Sequence, residues 1–189
     1  MDTLSHGLWG GMIFGWRRRF GLAFLFGVSP DLFSFGLWMF VRVVQRGFTC
    51  GKPSLAVLPQ WLDAAYSLTH SLVIAGLVFA VLWWKKRDLA VPFSAWIVHI
   101  LTDIPTHSRA FFPTPFLYPL SDYTFDGFSW GQWWFMLLNY SCLLVLAILW
   151  VWSRNARRVH SAYRINLKSY EGPSGGEEPL PGSFSKRST

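Results

Sequence analysis

Long apolar runs, separated by short basic and polar stretches, make up most of the first 152 residues of this chain. A helix needs about 20 mostly apolar residues to cross a bilayer, and residues 132–152 meet that length without a charged side chain. Residues 66–84 are also uncharged and carry His70 near their start, whereas the run 89–105 is shorter and carries His99 and Asp103. These three runs predict three membrane-spanning helices.

A fourth run, residues 20–41, is long enough to span but contains Ser29-Pro30-Asp31. Serine, then proline, then aspartate is typical of a helix start, so we expect this helix to break and restart within the membrane. Such breaks are tolerated where the backbone lines a cavity. Residues 3–16 predict only a short helix. The expected fold is an all-α integral membrane helical bundle of about four transmembrane helices plus a short N-terminal helix, over residues 1–152.

The composition supports this class. Of the 189 residues, 52% are hydrophobic and only 14% are charged, which excludes an ordinary soluble domain. Twelve tryptophans suit a protein with two water–bilayer boundaries. The net charge of +7 lies mainly in clusters directly beside apolar runs, which indicates membrane topology rather than nucleic-acid binding. We therefore expect membrane lipid, and no nucleic acid, as a partner.

The basic clusters also predict the orientation. Residues 17–19, 85–87 and 154–158 can all face the cytoplasm if the spans alternate between them. The C-terminus is then cytoplasmic. Residues 153–189 form a basic tail that becomes rich in glycine, proline and serine after Glu171, and we predict it to be mostly disordered. Cys50 and Cys142 show no metal-site spacing and predict no disulfide framework.

Three ligand-type side chains share one helical register. His99, Asp103 and His107 follow one another at intervals of four, which places them on one face of a helix. Ionisable groups inside a membrane are costly and indicate a functional site, and imidazole with carboxylate is the ligand set of zinc and related divalent metals. The alternative is a polar stripe that packs helices together through hydrogen bonds.

With the predicted topology, His6, Asp31 and His70 fall in the same outer half of the membrane as this stripe. The predicted metal ligands are therefore His6, Asp31, His70, His99, Asp103 and His107. Six exceed a tetrahedral site, so either two ions bind or one or two of these residues act otherwise. A free carboxylate, Asp31 or Asp103, would be the catalytic general base.

The outer loop that follows the stripe, residues 106–131, carries two further features. Arg109 lies two residues from His107 and is the candidate substrate-binding residue, since arginine clamps phosphate or carboxylate groups. The apolar run 111–119 predicts a segment that either lies on the membrane surface or covers the site. The chain shows no nucleophile motif of a serine or cysteine hydrolase.

Four short motifs resemble those of the membrane-bound metal-dependent hydrolases, small multi-helix inner-membrane proteins of which some are LexA-regulated. They are Asp2-x3-His6, Pro30-Asp31, Thr69-His70-Ser71 and His99-x3-Asp103, and the resemblance covers about residues 1–152. Phe33 stands where many members have a second aspartate, and Ala65-Tyr66 where many have a His-Arg pair. The resemblance implies hydrolase activity and an inner-membrane location.

The sequence thus predicts a membrane-embedded hydrolase that uses one or two divalent ions, expected to be zinc, to activate water. Because the site opens at the membrane interface, the expected substrate is an ester, in particular a lipid-like phosphoester. Two alternatives remain: a non-catalytic membrane protein that senses or carries a metal, and a structural bundle with polar helix contacts. Metal content separates the structural bundle from the others, and an open coordination position separates the first two.

Overall fold

The computed structural model describes residues 1–15, 19–48 and 58–170, with side chains up to residue 153. Within these ranges the regular structure is helical and contains no strand, which confirms the predicted all-α class. The elements are α1 (Thr3–Phe14), α2 (Phe20–Asp31), a π-helical segment (Leu32–Gly36), α3 (Leu37–Arg46), α4 (Gln60–Thr69), α5 (Leu72–Lys85), α6 (Arg87–Thr106) and α7 (Trp133–Tyr170).

Three stretches are long and apolar enough to cross a membrane: Phe20–Arg46, Arg87–Thr106 and Trp133–Ser153. A fourth span is possible by length and composition if α4 and α5, which meet at a bend of 48°, count as one broken helix. The prediction of about four transmembrane helices plus a short N-terminal helix is therefore confirmed. The side on which the C-terminus lies stays a prediction.

The expected break at Ser29-Pro30-Asp31 is wrong. Helix α2 continues through Pro30 to Asp31, whose backbone is α-helical (φ −68°, ψ −41°), and the π-helical segment leads directly into α3. Ser29 does not cap a new helix, because its hydroxyl donates to a carbonyl one turn back. The wider π-helical turn accommodates the proline, and Ser34 Oγ donates to the Pro30 carbonyl at 2.8 Å.

The break lies instead in the segment predicted as the continuous run 66–84. Helix α4 ends at Thr69, and Ser71 caps α5 by accepting the Ile74 N–H at 3.2 Å. Backbone groups that lack a helical partner at this break form hydrogen bonds with the loop after α6. The Leu72 N–H donates to the Phe116 carbonyl at 2.9 Å. The Ser71 hydroxyl donates to the Tyr118 carbonyl. Non-helical backbone at membrane depth needs such partners.

Small residues let α1 lie directly against α2 and α6. A Cβ atom on Gly27 would lie 2.6 Å from the His6 carbonyl oxygen, and one on Gly10 would lie 2.7 Å from Ala95 Cβ. Close backbone approach at glycine is a common way for helices to pack in membranes. It places the first turns of α1 beside the C-terminal half of α6.

The chain divides into two units, Met1–Ile148 and Leu149–Thr189. In the first unit, Asn139 of α7 donates to Ser5 Oγ at 2.7 Å and accepts from Trp9 Nε1 at 2.9 Å. In the second unit, α7 continues to Tyr170, so residues 153–170 of the predicted tail are helical rather than disordered. The domain boundary at residue 152 stays a prediction.

Several predicted features lie outside the described residues. These are the cluster members Arg17 and Arg18, Cys50 and its loop, and residues 171–189 of the tail.

Candidate metal centre

Four of the six predicted ligands converge inside the bundle. Asp31 comes from the end of α2, His70 from the break between α4 and α5, and His99 and Asp103 from successive turns of α6. One ligand atom from each lies within 4.8 Å of the corresponding atoms of the other three. The side chains thus form a cluster that can hold a metal ion.

Five of the six distances among the four ligand atoms are close to those expected around a tetrahedral ion, and the sixth, between the two carboxylates, is within 4.8 Å. With bonds of 2.0–2.2 Å, the ligand atoms of a tetrahedral site lie about 3.3–3.6 Å apart. Here His99 Nε2 lies 3.2 Å from His70 Nε2, 3.2 Å from Asp103 Oδ2 and 3.6 Å from Asp31 Oδ1. His70 Nε2 lies 3.5 Å from Asp31 Oδ1 and 3.7 Å from Asp103 Oδ2.

Backbone carbonyls set the tautomers of the two histidines. His70 Nδ1 lies 3.1 Å from the Tyr66 carbonyl, and His99 Nδ1 lies 2.7 Å from the Gly27 carbonyl. A carbonyl can only accept, so each Nδ1 carries the hydrogen, and in a neutral imidazole Nε2 is left with a free lone pair. This is the usual arrangement of metal-binding histidine, in which the second ring nitrogen is held by a carbonyl or carboxylate.

The four inward-facing atoms are therefore all acceptors. Asp103 Oδ2 is buried and has no hydrogen-bond partner within the described part of the chain. The other oxygen of this carboxylate, Oδ1, is ion-paired with the Met1 ammonium, so only Oδ2 is left unsatisfied. A buried polar atom without a partner is costly. Two carboxylates and two imidazole lone pairs directed at one point are satisfied by a divalent cation, so the residues present fit such an ion.

Burial distinguishes one of the four ligands. The side chains of His70, His99 and Asp103 are at most 1% exposed, whereas that of Asp31 is 16% exposed. The second oxygen of Asp31, Oδ2, accepts a hydrogen bond from Thr3 Oγ1 at 2.6 Å. The accessible side of the centre is therefore the side of Asp31.

His6 and His107 lie beside the centre, around the other oxygen of Asp103, and are not part of the four-atom cluster. The His6 ring stacks on His99 with 3.6 Å between ring centroids, and its Nε2 lies 2.9 Å from Asp103 Oδ1. His107 Nδ1 lies 3.6 Å from the same oxygen. The assignment of these two residues as metal ligands stays a prediction.

The helical register predicted for His107 is wrong. Helix α6 ends at Thr106, and His107 is extended (φ −116°, ψ 137°), with Nδ1 3.2 Å from the Asp103 carbonyl. The helix ends here because the following loop satisfies its last carbonyls: Phe128 N–H donates to Pro105, and Trp130 N–H donates to Thr106. Burial lowers the pKa of the His107 imidazole below its usual value.

Arg109 is held within the outer loop. Its backbone N–H donates to Asp126 Oδ1 at 2.8 Å, and its guanidinium donates to the Thr124 carbonyl at 3.1 Å. The structure shows no contact between Arg109 and the four ligands among the described residues, and its role in binding substrate stays a prediction.

The loop segment 111–119 packs over the histidine at the helix break. Phe112 contacts the Tyr66 ring edge-on, and Thr114 is buried within 3.5 Å of the Tyr66 hydroxyl. The Tyr66 ring in turn stacks on His70 with 3.9 Å between ring centroids. Of the two positions expected for this segment, the structure shows the one that covers the site.

Sequence reasoning identified Thr69 or Ser71 as a possible partner of the His70 ring, and Thr69 Oγ1 lies 3.0 Å from His70 Nδ1. It missed the other groups that support the ligands. Thr3 holds Asp31, the Tyr66 carbonyl and ring hold His70, and the Gly27 carbonyl holds His99. A carbonyl leaves no trace in the sequence, because every residue carries one.

Comparisons of this chain with protein-family models, with curated proteins and with solved structures find no match in any of the three. The resemblance to the membrane-bound hydrolases therefore rests on the four short motifs. Three of them, Pro30-Asp31, Thr69-His70-Ser71 and His99-x3-Asp103, supply all four ligands of the cluster.

Proposed function

We propose that this protein is a membrane-embedded metal-dependent hydrolase of the kind its motifs resemble, with zinc as the divalent ion. One observation carries the proposal: four acceptor atoms converge inside an apolar bundle without a donor among them. Two imidazoles with carboxylates at tetrahedral spacing favour zinc over the oxygen-preferring ions. When bound, the ion would lower the pKa of a coordinated water to about 7 and stabilise developing negative charge.

The difference in burial divides the roles of the ligands. His70, His99 and Asp103 are fully enclosed and would hold the ion, which leaves a fourth position for water, as in catalytic sites with two histidines and one carboxylate. Asp31 stands at the accessible side and would accept the proton of the attacking water as general base. The same carboxyl group would then return that proton to the leaving alcohol.

The surroundings of Asp31 support an amphipathic substrate. Leu32 and Phe33, which follow it directly, are exposed, and so is Leu4 next to Thr3. A lipid-linked ester could place its polar group at Asp31 while its apolar chain lies along these side chains. A water-soluble ester would gain nothing from them, so we propose a lipid-like phosphoester as the substrate class.

The experiment combines metal analysis with turnover. The detergent-purified full chain should contain zinc by mass spectrometry and should hydrolyse lipid phosphoesters in a panel with nucleotide phosphoesters. A chelator should abolish turnover, and His99→Ala/Asp103→Ala should remove both metal and activity. Ser94→Ala is the matched control, since this α6 hydroxyl bonds only to its own helix at the Ala90 carbonyl.

The outcome also separates the alternatives. Protein without metal would indicate a structural bundle. Metal-loaded protein without chelator-sensitive turnover would favour a metal sensor or carrier. One observation supports that second candidate: Asp31 Oδ1 lies within ligand distance of the other three atoms. If Asp31 coordinates, all four positions are filled by protein, as in non-catalytic zinc sites.

A further inference from the structure

The carboxylate of Asp103 faces two different sets of nitrogen atoms. Its Oδ2 belongs to the four-atom cluster, whereas its Oδ1 lies 2.9 Å from His6 Nε2. The His6 side chain is 1% exposed, and it comes from α1, a different helix from any of the four ligands. Asp103 therefore joins the cluster to a second buried imidazole.

The contact between His6 and Asp103 is close but is not a hydrogen bond. His6 Nε2 has no hydrogen-bond partner within the described residues although a carboxylate oxygen lies 2.9 Å away, so the two atoms are not directed at each other. Buried polar atoms nearly always have a partner. A nitrogen and an oxygen that lie side by side in this way can both point at a third position.

The distance between them suits two ligands of one ion. In a six-coordinate ion with bonds of 2.0–2.1 Å, neighbouring ligands stand at right angles and lie about 2.9 Å apart. His6 Nδ1 lies 3.4 Å from the Thr102 hydroxyl, which can hold the other side of the ring. This second contact resembles the one by which a metal-binding histidine is oriented.

We propose that a second divalent cation binds between His6 Nε2 and Asp103 Oδ1, so that the Asp103 carboxylate bridges two ions. The inference rests on the metal centre of the proposed function and extends it. In two-metal hydrolytic sites the ions lie about 3.5–4 Å apart and act on phosphoesters by holding both the attacking and the leaving oxygen.

The charge of two bound ions decides between an anionic phosphoester and a neutral carboxylic ester as the substrate. The first ion already balances the carboxylates of Asp31 and Asp103, so a second ion adds positive charge inside an apolar bundle. An anionic phosphoester would neutralise this charge, and a neutral carboxylic ester would not. Water and the phosphoryl oxygens would fill the positions that His6 and Asp103 leave open. The second ion thus favours a phosphoester over a carboxylic ester.

One neighbouring group competes for the same oxygen. The nitrogen of Met1 lies 2.5 Å from Asp103 Oδ1 and 3.1 Å from Thr106 Oγ1. In this structure the Met1 ammonium donates to Oδ1 and so occupies the place of a cation there. A second ion would therefore have to displace this ammonium from Oδ1. The His107 nitrogen that lies near Oδ1 is Nδ1, which donates to the Asp103 carbonyl and so has no lone pair for the second ion.

Manganese provides a probe that does not depend on activity. The full chain in detergent micelles would be loaded with Mn²⁺, its metal counted by mass spectrometry, and its electron paramagnetic resonance spectrum recorded. We expect two ions per chain and a spin-coupled signal, because two ions that share a carboxylate interact magnetically. His6→Ala should hold one ion with the six-line spectrum of isolated Mn²⁺, whereas His160→Ala, in the predicted tail, should keep two.

The results separate this inference from the proposed function. One isolated ion per wild-type chain would overturn the second site and leave the first intact. A wild-type chain that binds neither Mn²⁺ nor zinc would overturn both. Two coupled ions in His6→Ala would also overturn the second site. His6→Gln, which keeps most of the ring's volume, guards against a folding defect, and it should likewise hold one isolated ion.

Discussion

His70 Nε2 and His99 Nε2 lie 3.2 Å apart in the interior of the bundle, while the other nitrogen of each ring is held by a backbone carbonyl. Two neutral imidazoles in these tautomers present lone pairs to each other, which is unfavourable unless a cation lies between them. An ion bound by both Nε2 atoms would therefore connect the helix break at His70 with helix α6.

The hydroxyl of Thr3 should matter to metal affinity. Thr3→Val keeps the shape of the side chain but removes the hydrogen bond to Asp31 Oδ2. Loss of such an orienting contact typically lowers metal affinity about 10–100-fold, and we expect this range in a competition titration against a chromophoric chelator. Ser94→Ala should bind zinc like the wild type, and equal affinity in both variants would contradict the role assigned to Thr3.

The two aspartates should respond differently to the same substitution. Asp31→Asn should lower the turnover rate by about 10²–10⁴-fold while the protein keeps part of its metal, because a general base is lost but three ligands remain. Asp103→Asn should lose the metal, since this enclosed carboxylate is a ligand. Metal content and initial rates of both variants test the assignment. A metal-free Asp31→Asn with metal-loaded Asp103→Asn would reverse it.

Metal affinity should fall as the pH falls. His70 and His99 bind as neutral imidazoles, so protons compete with the ion. Because free histidine titrates near pH 6.5, we expect the affinity at pH 5.5 to be at least about tenfold lower than at pH 7.5. Dissociation constants from chelator competition at both pH values provide the test. A constant affinity over this interval would contradict proton competition at the two imidazoles.

Gly27 should tolerate no side chain. In Gly27→Ala the new Cβ would lie 2.6 Å from the His6 carbonyl and force α1 away from α2. Overpacking of this kind costs about 1–3 kcal/mol, and it would also shift the carbonyl that holds His99. Thermal unfolding in detergent should show a lower Tm and weaker metal retention.

The matched control for this substitution is Gly76→Ala in α5, where a Cβ meets no atom within 4 Å. That variant should be as stable as the wild type or slightly more so, because alanine favours helix. Equal Tm losses at both positions would show that the effect of Gly27→Ala is not due to the contact with α1.

The predicted orientation can be tested with reporters. With the basic clusters inside, a C-terminal fusion reporter should be active only in its cytoplasmic form, and a tag inserted near Lys52 should be reached from outside intact cells. External labelling that reaches the tail but not the Lys52 loop would invert the topology. The candidate ligands would then lie in the inner half of the membrane.

The sequence by itself determined the class of the protein and most of its site. Each apolar run has enough transfer free energy to predict a span without knowledge of its neighbours. His70, His99 and Asp103 stood out because ionisable side chains in such runs need partners. The same local reasoning placed the helix break at Pro30, where the chain in fact continues through a π-helical turn.

Only the tertiary structure decided which candidates meet. The break at His70 is stabilised by carbonyls of Phe116 and Tyr118, more than 40 residues along the chain, and His99 is oriented by the carbonyl of Gly27 in another helix. It also placed His6 beside the other oxygen of Asp103 rather than in the four-atom cluster. Helix α6 ends at Thr106, where the following loop takes up its carbonyls, so His107 leaves the helical register. These outcomes depend on hydrogen bonds and close contacts between segments that are distant in the sequence. Hydropathy and periodicity reflect only residues that are close together in the sequence.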